Sequence, residues 1–157
     1  MPDDNLKQLV SQGLAAMKAG SDVAAKATHE ISKDATHPAL KAALEQGNGV
    51  SKQWAERIER ALQQVGGDGE RDNPILEAHY EVSRRIRSQA SDETSRDLGI
   101  VASGQLAFHY WIAAFGTMAS YTKKLGMDAV ASDMKQSADD AKQADEGHTA
   151  IAEQLFG

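Results

Sequence analysis

Few side chains in this sequence stand at spacings that could do chemistry, and the best placed are near its C-terminal end. Asp145 and His148 are three apart, so on a helix they share a face. A carboxylate and an imidazole so placed could ligate a divalent metal, with Asp140 one turn or so before them. His79 and Glu81, in the segment EAHYEV, could join that set only if their helix crosses the mouth of the fold. The competing reading is structural, because a lone inward histidine usually serves as a hydrogen-bonded core residue. His109 faces away from the aromatic face of its helix, which suits an outer or interface role, and His29 and His37 are expected at the surface.

Other chemistry finds less support. The chain has no cysteine, which excludes disulfides, thiolate metal sites and cysteine nucleophiles. No serine lies in a G-x-S-x-G elbow. The stretch GGDGERDN lacks the spacing of a calcium loop and is expected to be a solvated turn. In SRRIRS, Arg84, Arg85 and Arg87 form the one dense basic patch, and pairing with nearby acids explains it better than a phosphate or nucleic-acid partner. Lys plus Arg number 17 and Asp plus Glu 23, a net charge of −6 that disfavours nucleic acid and anionic membrane surfaces. No unbroken apolar run reaches a membrane-spanning length, and MPDDNLKQLV lacks the regions of a signal peptide, so a soluble cytoplasmic protein is expected.

The elements that must position these residues are helices. Ala, Gln, Lys, Glu and Leu fill the stretches between glycine and proline breaks, and nothing alternates as a strand would. Five helices are predicted within a single domain spanning 1–157. The first runs from about Asp4 to Asp34 with Leu6, Leu9, Val10, Leu14 and Met17 inward; the second runs from Pro38 to before Gly66, with a weak point or kink at QGNGV. A shorter third starts at the Asn73 cap and Pro74 and fades near SQASDE; a fourth spans Glu93 to Leu125 and a fifth Asp128 to Leu155. Four long helices with short connections predict an all-α four-helix bundle with one additional short helix.

On the fourth helix, QLAFHYWIAAFGTM holds Phe108, Tyr110, Trp111 and Phe115, half of the eight aromatics in the chain. Phe108, Trp111 and Phe115 share a face. Opposing helices offer Ser21, Ala24, Thr28, Gly47, Ala138 and Ala141, so large rings facing small residues predict a filled core. The middle of such a bundle is also where di-metal sites are built from Glu and Glu-x-x-His, yet no Glu-x-x-His occurs.

The order and spacing of these segments resemble the bacterial stress-associated ferritin-like family typified by YciE and YciF. THPALKAAL is similar to that family's entry to its second helix, and RDLGIVASGQLAFHYWIAAFGTM to its pattern D-x-x-L-I-x-x-x-Q-x-x-E-H-Y-E-x-x-x-Y-G-T. Asp97, Gln105, His109, Tyr110, Gly116 and Thr117 agree with it, KKLGMDA matches the turn that follows, and Asp145 fits a recurring Asp of the last helix.

The departures fall on the metal ligands. Ser21 stands for a Glu, Gly47 for a His, Ser51 for a Thr, Phe108 and Trp111 for two Glu, and Asp140 beside Ala141 for an acidic pair. The resemblance therefore implies a ferritin-like fold, a homodimer and a stress-related role, with the metal site replaced by hydrocarbon. The leading expectation is a metal-free, non-enzymatic protein with a structural or interaction role, without a cofactor, and with no catalytic, cofactor or metal residues. The alternative is a rearranged iron or manganese site using Asp140, Asp145, His148, His79 and Glu81. A third is an adaptor that presents QGNGV or the short helix to an unidentified protein partner.

Overall fold

The computed structural model describes residues 2–67 and 71–157, so part of GGDGERDN lies outside the described residues. Among the described residues five helices make up the fold: α1 Pro2–Asp34, α2 Pro38–Val65, α3 Pro74–Gln89, α4 Glu93–Lys124 and α5 Asp128–Phe156. Their ends follow local chemistry. His37 caps α2 by accepting the Ala39 N–H at Nδ1, Asn73 caps α3 and Asp92 caps α4. Gly66, at φ 83°, closes α2 in the left-handed region that glycine favours, and Gly126, at φ 77°, does the same after α4. Glycines 47 and 49 do not break α2, which runs through them.

Contacts fix the topology. Arg57 on α2 reaches Asp140 on α5, while Arg60 reaches Asp133, so α2 and α5 are antiparallel neighbours. Asp97 at the start of α4 meets the α1–α2 turn, and Met118 near its end meets Gly13 at the start of α1, so α4 runs antiparallel to α1. The chain must therefore return along the bundle between α2 and α4. Helix α3 makes that return, with Asn73 bonded to Ala16 and Tyr110 at one end and Arg87 bonded to Asp34 at the other. It covers the groove between α1 and α4. One such crossover connection is a recognised bundle topology.

Two side chains seal these joints. The carboxylate of Asp97, 1% exposed, accepts the Thr36 N–H and His37 N–H at 2.9 Å each and the Thr36 hydroxyl at 2.6 Å. Asn73, 3% exposed, accepts the Leu76 N–H while its amide donates to the Ala16 carbonyl and the Tyr110 hydroxyl. Gly20 makes room for it, since a Cβ there would come 2.5 Å from Asn73 Nδ2.

The core is divided. Trp54, Ile58, Trp111, Phe115 and Met134 belong to a large cluster at one end; Ile31, Leu40, Ile100, Val101 and Ile151 form a second at the other. Burial of a ring such as Phe115 contributes about 3 kcal/mol. Leu9, expected inward, is 52% exposed because Val10, Leu14 and Met17 set the inward direction of α1 and leave it to the side. By length and composition α4 could cross a membrane, its most apolar window having a mean hydropathy of 1.3, with a third of that window buried in the bundle. An expectation built on unbroken apolar runs misses this, because Ser103, Gln105 and Tyr110 interrupt the run without adding charge.

Candidate functional site

Between the two core clusters lies a cavity of about 280 Å³. Gly47, Ser51, Phe108, Trp111 and Asp140 all line it. Ser21 and Ala141 do not. The sequence predicts that the rings of α4 fill this space, and they fill only part of it. Trp111 stacks on Phe115 at 5.2 Å and meets Trp54 at 6.0 Å, which closes one end. Above them the wall recedes, because Gly47 on α2 and Gly147 on α5 have no side chain and a Cβ at either would meet nothing within 4 Å. The cavity opens between α2 and α5, where the lining residues Gln46, Gln143 and Gly147 are exposed.

Polar side chains on the wall come from Thr28, Gln46, Ser51, Ser103 and Gln143 and from three titratable groups, Asp140, His148 and Tyr80. Asp140 accepts from Arg57 at 2.9 Å, Gln136 at 2.9 Å and the Trp54 indole N–H at 3.3 Å. Burial pushes its carboxyl up, but those bonds and the Arg57 charge more than offset this and hold it below the ordinary carboxylate value. His148 is 4% exposed, with its Nδ1 3.1 Å from the Ala144 carbonyl and its ring edge-on to Phe108 at 4.8 Å. A carbonyl only accepts, so Nδ1 carries the proton and Nε2 is left as an acceptor, without a partner among the described residues. Burial lowers the His148 pKa, which keeps the ring neutral near pH 7. Tyr80, reaching in from α3, has its phenol pushed up to about 12 by burial alone.

The residues of the rearranged-site alternative are not brought together. Asp145 pairs with the exposed His109, Oδ2 lying 3.1 Å from Nε2, while its Oδ1 is buried without a partner among the described residues. Glu81 is bound by Arg84 and Arg85 at the surface, which holds it down to about 2, and His79 packs edge-on to Tyr80 at 4.8 Å. Arg87 is the exception within SRRIRS, being buried between Asp34 and Ser83. His29 is exposed as expected, whereas His37 is half-buried as the α2 cap. A di-metal centre does not fit this donor set. Among the described residues no three His, Cys, Asp or Glu side chains converge, and Asp140, the carboxylate on the wall, already has three donors.

An antiparallel bundle of four long helices, with one crossover carrying a short helix and a cavity at mid-length, is a ferritin-like four-helix bundle. The chain belongs to the family described as "Domain of unknown function (DUF892)", whose model matches residues 5–157. It is similar to the solved structure of the E. coli stress protein YciF, with a TM-score of 0.90 and 19% identity over 96% of each chain. It is also similar to YcfI from Rhodopseudomonas palustris, with a TM-score of 0.87 and 21% identity over 92% of each chain. No curated protein matches it. At these identities the likeness establishes the shared fold.

Asn73, Tyr80, Asp97 and the cavity itself carry most of this architecture. Asn73 and Asp97 are visible in the sequence as a cap and as a motif residue, but their long-range bonds are not. Tyr80 carries no sequence signal beyond its place in EAHYEV.

Proposed function

We propose that this protein is a metal-free, non-catalytic member of its family that works by binding, as a cytoplasmic homodimer in the response of the cell to stress. One observation carries the proposal: Gly47, Phe108 and Trp111, which the resemblance sets against a His and two Glu, line the mid-bundle cavity. Buried carboxylates need a cation to offset their desolvation, and a wall of rings and bare backbone needs none. The stress assignment is drawn from the description of the similar E. coli protein. Association is supported by the exposed apolar residues Ile75, Val82 and Ile86, which share one face of α3.

Elemental analysis of protein purified from metal-replete medium tests the proposal. Iron and manganese well below one atom per chain are expected; a stoichiometric amount overturns it. Light scattering at micromolar concentration should give the mass of a dimer, and a monomer would overturn that part.

A further inference from the structure

We propose that the mid-bundle cavity is a binding site for a small, neutral, planar aromatic molecule bearing one hydroxyl or ring N–H group, a phenol or an indole. This deepens the metal-free reading and rests on it, since a resident metal would occupy the same space.

Size comes first. An engineered apolar cavity of about 150 Å³ takes up benzene, so a space of about 280 Å³ accommodates about two fused rings. Shape follows from what borders it. Phe108 and Trp111 present rings from α4, while Gly47 and Gly147 present bare backbone from α2 and α5. Helix α4 is packed against α1 and α5, so it lies diagonally across from α2. Rings on one side and side-chain-free backbone on the other leave room for a flat molecule, and aromatic faces and edges favour an aromatic one.

An anion is excluded by the wall. Asp140 is matched by Arg57 at 2.9 Å, and His148 and Tyr80 are neutral, so nothing remains to offset the desolvation of an anionic guest, and the Arg57 pair leaves a cation no free carboxylate on the wall. Two polar groups on the wall, which also carries the side chains of Gln46, Ser51, Ser103 and Gln143, are complementary in kind. The Tyr80 hydroxyl can donate and His148 Nε2 can accept. A hydroxyl can use either, and an indole N–H can use the second.

The chain has two tryptophans, Trp54 and Trp111, and both line the cavity, so occupancy should be directly visible in fluorescence. The experiment titrates the full-length protein with 2-naphthol and with indole, using calorimetry and tryptophan emission, with 2-naphthoate as the anionic control. The expected result is saturable one-to-one binding of both neutral probes in the micromolar range. 2-Naphthoate should bind at least about ten-fold more weakly. Gly47→Leu grows a side chain into open space, so it should abolish binding while leaving the melting temperature equal or higher. Tyr80→Phe should weaken 2-naphthol more than indole.

No saturable binding by the wild-type protein would overturn the inference. So would binding that survives unchanged in Gly47→Leu. Metal content measured on the same sample separates the two claims. Stoichiometric iron or manganese overturns the metal-free reading, whereas metal-free protein that ignores both probes overturns the ligand inference alone.

Discussion

The imidazole of His148 rests directly on Gly104, where a Cβ would lie 2.8 Å from both its Cδ2 and its Nε2. That contact sets the position of the ring at the cavity wall, with Phe108, one turn along α4, edge-on to it at 4.8 Å. Gly104→Ala should therefore lower stability despite the better helix propensity of alanine. The net loss expected is about 1 kcal/mol, from overpacking partly offset by propensity. Thermal or denaturant unfolding would measure it, and a stabilised variant would show that His148 moves freely.

Gly47 and Gly49 should give the opposite sign. A Cβ at either position meets nothing within 4 Å, and both lie inside α2. Alanine at either should stabilise by about 1 kcal/mol, raising the melting temperature by a few degrees. A loss at these positions would mean that α2 does not run through them as a regular helix.

Asp97 accepts three hydrogen bonds from the turn between α1 and α2 while almost wholly buried. Asp97→Ala strands two backbone N–H groups and a hydroxyl, and should cost about 3 kcal/mol. Asp145→Asn, at a contact with an exposed histidine, should cost little by comparison. Similar losses from the two changes, read in urea, would contradict this account of the turn.

Acid should weaken the fold in a window that begins near the ordinary imidazole value. Burial holds both His148 and His79 below 6.5, although the Ala144 and Ser103 carbonyls pull the other way. The folded state thus prefers both rings neutral. As pH falls below 6.5 the unfolded chain binds protons that the folded chain does not, so stability drops with falling pH. Above 6.5 neither state is protonated and these groups contribute no slope. His148→Gln should remove part of the decline between pH 6.5 and 5 in denaturant titrations, and an unchanged slope would show that His148 is not its source.

The bundle was legible in the sequence because its punctuation is local. Pro38, Asn73 with Pro74, Gly66 and Gly126 mark helix ends through their own backbone preferences, and the boundaries fall within about two residues of those expected. The inward face of α4 was legible for the same reason, from the spacing of Phe108, Trp111 and Phe115. The cavity was not. Side-chain sizes say that large rings oppose small residues, but not how far apart the helices stand, and here the spacing leaves room that Gly47 and Gly147 do not fill. Tyr80 was missed because the groove chosen by α3 depends on Asn73 reaching Ala16 and Tyr110, a contact between distant parts of the chain.

The most direct test of the central claim is thermal unfolding of the purified protein with and without added Fe(II) or Mn(II). A ligand specific to the folded state raises the melting temperature by mass action, by about 2.7 kcal/mol of stability at a hundred-fold excess over its Kd. With Asp140 engaged by Arg57, and no three His, Cys, Asp or Glu side chains converging among the described residues, no shift is expected with either metal. A clear, saturable rise would contradict the account and place a working metal site inside the bundle.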